Sequence, residues 1–291
     1  MTAGDKLKHH IIRPILISAL FAGNTSFAEE KTEAANEEVQ SNTVNEQDSD
    51  GLWNYKKFLL DENGKWSLGF GTAVSNSPFK GEKISITPIP VVDYSSKNLF
   101  IRGLRGGYHI KKVDNPREGG YFLDVFLSPR IRPGDSRRKL SLDGGVSGGY
   151  QSIAGTITLD VLHDISAQSG GMEVNASYSF PYQTSGKKSL FIPKLEITYQ
   201  SEGLANYLWG IDNKTYLKSL ANPNEVTLEP YRISSSVFNF SASMTHVYRI
   251  DDHWNTLILA KVTALDGDIL DNPAIERQLD YSFIFGTAYT F

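Results

Sequence analysis

Nucleophilic catalysis needs a hydroxyl, carboxylate or thiol with a base in hydrogen-bond reach. One short stretch gathers such groups: His163, Asp164 and Ser166. Of the histidines beyond the amino-terminal region, His109, His163, His246 and His253, His163 is the best placed as a base. A hydrogen bond at the rim of a sheet is the commoner use of such a trio. Asp266, Asp268 and Asp271 around Gly267 faintly resemble a calcium loop, but they lack its ordered spacing and closing Glu, so a solvated loop is expected. The pairs Gly144-Gly145 and Gly148-Gly149 open no helix and so cradle no phosphate; close strand packing or lumen space explains them. The chain has no cysteine, which removes disulfides, thiolate metal sites and Cys nucleophiles together. The residues therefore assign no catalytic, metal or cofactor position, and the chain reads as a non-enzyme.

The elements that must position these groups are strands. Trp66, Leu68, Phe70, Thr72 and Val74 alternate with Ser67, Gly69, Gly71 and Ala73, the period of a half-buried strand. The same alternation recurs near 84–94, 98–110, 120–130, 140–150, 154–164, 171–181, 189–200, 232–249, 253–264 and 278–291. Many segments are long enough to cross hydrocarbon when tilted. Aromatics such as Trp66, Tyr121, Tyr178, Tyr199, Tyr248, Trp254 and Tyr289 sit near segment ends, where an interfacial girdle places them. The opposite faces carry Asp124, Asp143, Asp160, Glu173, Lys194, Glu196 and Lys261, unsuited to a sandwich core but ordinary in a wet lumen. The fold class is all-β, a transmembrane antiparallel barrel.

Eleven segments cannot close a bacterial barrel, which has an even count. Twelve strands are expected if Tyr207 to Ile211 hides one, and ten if a segment is not a strand. Segment 98–110 is awkward, because Arg102 and Arg105 fall on opposite faces unless a bulge at Gly103 turns both inward. With both termini periplasmic, the 201–230 stretch lies outside or folds across the mouth.

The final strand is the most telling. Tyr281, Phe283, Phe285, Tyr289 and Phe291 share one face with Thr287, and the chain ends on the last aromatic. In water such an edge invites aggregation. In a membrane it faces lipid and closes on the first strand. These aromatics also have the form of the signal read by the outer-membrane barrel assembly machinery.

The amino terminus agrees with export. Lys6, Lys8 and Arg13 precede an apolar core from Ile15 to Ala22, and Ser26-Phe27-Ala28 offers a cleavage site between Ala28 and Glu29. Residues 1–28 read as a signal peptide, 29–64 as an acidic, mostly disordered periplasmic segment, and 65–291 as the barrel. The formal net charge of −4 argues against nucleic-acid binding, which rests on neutralising phosphates.

Four stretches carry a family resemblance. They are Ser77-Pro78-Phe79-Lys80-Gly81 with Thr87-Pro88-Ile89-Pro90-Val91-Val92-Asp93-Tyr94; Asp160 to Gly171; Asn206-Tyr207-Leu208-Trp209-Gly210-Ile211; and Leu265 to Ile275, with Asn272 where Ser is usual. In this order they resemble the MipA/OmpV family of Gram-negative outer-membrane proteins. The resemblance implies a non-enzymatic scaffold in the cell envelope, linking a lytic murein transglycosylase to a murein synthase in peptidoglycan biosynthesis. It assigns no contact residues. A pore for small solutes is the alternative, because a twelve-stranded barrel can leave an aqueous passage unless its lumen charges pair across it.

Overall fold

The structure, a computed structural model, describes residues 66–96, 98–113, 115, 117–130, 140–186, 188–221 and 226–291. The proposed cleavage site at Ala28 and Glu29 and the acidic segment lie outside the described residues.

Twelve antiparallel strands form one closed wall. They are β1 (Trp66–Ser75), β2 (Ser85–Ser95), β3 (Leu99–Arg102), β4 (Arg105–Lys111), β5 (Gly120–Arg130) and β6 (Ser141–Ser152). The circuit continues through β7 (Gly155–Asp164), β8 (Met172–Ser179), β9 (Ser189–Gln200), β10 (Val237–Arg249), β11 (Trp254–Ala264) and β12 (Leu279–Thr290). A short run, Tyr182–Gln183, continues β8 along the same neighbour, β9. Among the described residues no helix is long and apolar enough to cross a membrane.

Closure is made by the terminal strand. β12 pairs with β1 from Ser67↔Thr290 to Ser75↔Ser282, and the Phe291 amide donates to the Trp66 carbonyl at 2.9 Å. Pairing on both sides leaves no free edge on this aromatic strand. Its odd-numbered side chains point outward as the alternation requires, with Tyr281, Phe283, Phe285 and Phe291 all exposed. The rim where β1 begins and β12 ends carries stacked or edge-on aromatic pairs: Trp66 with Tyr94, Tyr121 with Tyr150, and Trp254 with Tyr289. Tyr199 instead packs on Phe238 at the opposite, distal rim.

Twelve is reached by a different route from the one expected. Residues 98–110 are not one bulged strand. They are a tight hairpin, with Arg102 opposite Arg105 and Gly103-Leu104 at the turn. Gly103 has φ +59°, as the first central position of a II′ hairpin turn demands. The reversal sends both arginines inward, the outcome a bulge was invoked to explain. The segment Tyr207 to Ile211 is not a strand: α1 (Glu202–Trp209) occupies it, followed by α2 (Asn213–Leu220) and, after β11, a single turn α3 (Gly267–Leu270). Leu204, Ala205 and Leu208 are buried at helical spacing, which a five-residue alternation test does not sample.

The lumen has two unlike halves. Inward side chains of β1, β2, β11 and β12 form an apolar cluster, Ala73, Ile89, Leu259 and Ile284, joined by Leu104 and Leu257. Leu190 and Val247 extend it toward the terminal rim. The other half is charged.

Candidate functional site

The charged half is built on missing side chains. Phe100 lies opposite Gly107, Phe122 opposite Gly149 and Phe126 opposite Gly145, all facing inward. A Cβ on those glycines would lie 2.5, 2.6 and 2.4 Å from the facing ring, so each ring occupies its glycine's space. The rings then form a floor for guanidinium groups. The Arg105 guanidinium carbon sits 3.9 Å from the Phe126 ring centroid, and that of Arg102 sits 4.9 Å from Phe100. Such contacts stabilise a desolvated cation by about 0.5–2 kcal/mol.

Charge is neutralised within the same layer. Both Arg105 Nη atoms donate to Asp160 Oδ2 at 3.2 Å, and the Ser147 hydroxyl donates to Asp160 Oδ1. His109 Nδ1 and Asp124 Oδ1 are 2.6 Å apart and nearly inaccessible. Arg130 bonds Asp143 through Nε and Glu173 through Nη1. Across the barrel Lys194 and Lys261 donate to the two oxygens of Glu196, at 2.6 and 2.9 Å. Ions buried this far stay charged only when paired. Asp124, Asp143, Asp160, Glu173, Lys194, Glu196 and Lys261, the charges expected to wet the lumen, do face inward, but Asp124 is bonded to His109 and the others are held in ion pairs, most of them between strands.

The distal mouth is closed above this layer. Phe79, Ala205, Ile211, Ile233, Val237, Leu265, Ile269, Ala274 and Ile275 form the largest buried apolar cluster. They come from three connections, β1–β2, β9–β10 and β11–β12, and from Val237 at the start of β10, so the described part of the 201–230 stretch folds across the mouth. The isolated bridge Phe79↔Ile275 ties the first and last of these connections together, and Ile211↔Tyr231 closes the middle one on itself. Asn206 acts as a peptide-like clamp, donating to the Ile233 carbonyl and accepting from its amide. Asn272, 1% exposed, donates to the Trp209 carbonyl at 2.6 Å and accepts from the Ala274 amide at 2.9 Å. Trp209 Nε1 donates to Gln200 Oε1 at 3.0 Å, and Gln200 donates to Glu173, so cap and ion pairs are continuous. Burial, with the carboxylates of Asp271 and Asp268 nearby, raises the Tyr231 hydroxyl above its ordinary pKa, and the hydroxyl donates to the Asp268 carbonyl at 2.8 Å.

The candidate chemistry is spent on structure. Asp164 ends β7 pointing inward and accepts from the amides of Ser166, Ser169 and Gly170 and from both serine hydroxyls. His163 is exposed on the opposite, outer face and does not meet Ser166 in a relay. Asp266 caps α3 through the Asp268 amide and accepts from the Phe238 amide, while Asp268 accepts from Ser235. Tyr289 stands edge-on to Phe291, 5.0 Å between centroids, and forms the aromatic corner where the chain ends. The Gly–Phe–Arg–Asp layer is what the alternation pattern missed. Its signal was present as aromatics on the polar face of one strand beside glycines on the polar face of the next.

The chain is similar to known proteins over most of its length. The family model described as "MltA-interacting protein MipA" matches residues 68–291. The MltA-interacting protein of Escherichia coli (strain K12) is 24% identical over 239 residues, covering 78% of this chain and 91% of that protein. The outer membrane protein OmpV of Vibrio cholerae is 26% identical over 242 residues, covering 80% and 89%. The putative outer membrane protein YiaT of Escherichia coli O157:H7 is 22% identical over 234 residues, covering 77% and 90%.

Proposed function

The chain belongs to the MltA-interacting protein (MipA) family of outer-membrane barrels, and from that premise we propose that it is a non-enzymatic scaffold of cell-wall assembly. In this role it holds a lytic murein transglycosylase near a murein synthase. The observation that supports this reading is that inward charges are held in ion pairs beneath an apolar cap, which leaves the rims and the periplasmic segment to meet partners. The relative's name records an interaction with MltA, and that name supports the transglycosylase half. Residues 1–28 direct export and are removed after Ala28, so the mature chain begins at Glu29. In this reading the acidic stretch 29–64 lies on the periplasmic side, where its charge attracts basic partners. The same packing speaks against the pore, since a conducting path would have to break buried pairs.

Two measurements decide between the readings. Tagged mature protein should retain a muralytic activity or a murein synthase from periplasmic extract, and retention of neither counts against the scaffold. Planar-bilayer recordings of refolded protein should stay silent; stable open steps would favour the pore.

A further inference from the structure

β3 and β4 are stunted: they hold 4 and 7 residues, whereas the flanking β2 and β5 hold 11 each. Their turn at Gly103-Leu104 therefore lies partway up the wall. Above it, Ser85 to Val91 of β2 pair with β1 alone, and Ser128 to Arg130 of β5 pair with β6 alone among the described residues. With the two strands ended at this height, no described strand lies between β2 and β5.

The backbone of this notch is prepared for lipid. The Gly103 amide donates to the Val92 carbonyl at 2.7 Å, so even-numbered β2 residues aim their backbone groups toward β3 and the notch. Two of those positions are Pro88 and Pro90. On the other side, Leu142 bonds away from β5, through Ile165 and Ser166. Its partner Pro129 must therefore face the notch as well. Three prolines thus sit where an amide hydrogen would otherwise point into the gap. That removes the donors whose exposure to hydrocarbon is most costly, and it bars a peptide strand from completing the sheet. Inside the gap stand Ile89, Val91 and Leu104, and Ile89 and Leu104 belong to the apolar half of the lumen.

We propose that this proline-lined notch is a lateral site where an acyl chain of an outer-leaflet lipid enters the wall and lies against Ile89 and Leu104. At Pro88, Pro90 and Pro129 a polar ligand finds no amide donor, and a peptide finds no continuous ladder to join. The apolar half of the lumen is then a lipid-contacting surface reached from the side, distinct from the capped mouth.

Because the chain is cysteine-free, single-cysteine variants carrying bimane can read lipid contact. Ile89→Cys and Leu104→Cys report on the notch. Leu162→Cys faces inward behind a complete wall, and Leu159→Cys faces outward into the bilayer. In vesicles of phosphatidylcholine brominated in mid-chain, quenching at Ile89→Cys and Leu104→Cys should reach at least half that at Leu159→Cys, with Leu162→Cys several-fold weaker. If Ile89→Cys does not insert, Leu104→Cys decides alone. Quenching at the notch no stronger than at Leu162→Cys overturns the proposal.

Discussion

The Phe126 ring occupies the space that a side chain on Gly145 would need. A Cβ there would lie 2.4 Å from the ring's terminal carbon, and the face of that ring carries Arg105. Gly145→Ala should therefore displace the ring and cost about 1–3 kcal/mol, the usual penalty of overpacking. Gly148 is the control: its Cβ would meet nothing closer than 3.6 Å, so Gly148→Ala should stay within about 0.5 kcal/mol of the parent. Urea unfolding of both variants in detergent-lipid micelles checks the contrast.

Asp160 neutralises Arg105 with side-chain exposures of only 4% and 8%. Asp160→Asn leaves a buried guanidinium without its counter-ion and should destabilise by about 3–5 kcal/mol. Replacing both partners, Arg105→Met with Asp160→Leu, should recover most of that loss, because the desolvation cost disappears with the charges. A double-mutant cycle from the same unfolding curves measures it.

Much of this was legible in the sequence, and the rest was not for definite reasons. Period-2 alternation depends only on which face meets lipid, so the inward or outward sense of Asp124, Asp160, Phe283 and Phe285 follows from residue type alone. A hairpin turn inside the wall sends no such signal. Leu99 to Lys111 keeps an apolar and polar texture throughout, and only Gly103 marks the reversal. Tyr207 to Trp209 are strand-formers in the sequence yet helical, because their register is set by burial of Leu204, Ala205 and Leu208 in the cap. Pairings such as Arg130 with Glu173 join β5 to β8 and depend on closure, which no local pattern encodes.

Asn272 bridges two parts of the cap, and a serine there is too short to reach the Trp209 carbonyl. Asn272→Ser should still accept from the Ala274 amide while leaving that carbonyl unpaired, at a cost of about 1–3 kcal/mol. The loss should appear as faster limited proteolysis in the α1–α2 connection, with the strands unchanged by circular dichroism. Ile269→Ala, at a fully buried cap position, should act in the same direction and cost about 2–5 kcal/mol.

Phe291 makes the last backbone bond of the closing seam, and its ring, 63% exposed, rests on Tyr289. We propose that the exposed aromatics of β12 serve recognition during assembly. Phe291→Ala keeps the amide, so the seam should persist in protein refolded in vitro. In cells, however, the folded outer-membrane fraction should fall, as judged by the heat-modifiable band. Deleting Phe291 should lower both, and normal insertion of the alanine variant would overturn the recognition role.

The Phe79↔Ile275 bridge has a consequence in time. It joins the first distal connection of the barrel to the last, so it forms only once β12 has met β1. Until then Ile233, Leu265 and Ile269 have no place to hide. A barrel halted one hairpin short displays an oily, protease-ready lid, while a finished one has sealed it. The lid thus acts as a receipt for completed assembly, carried by the connections themselves.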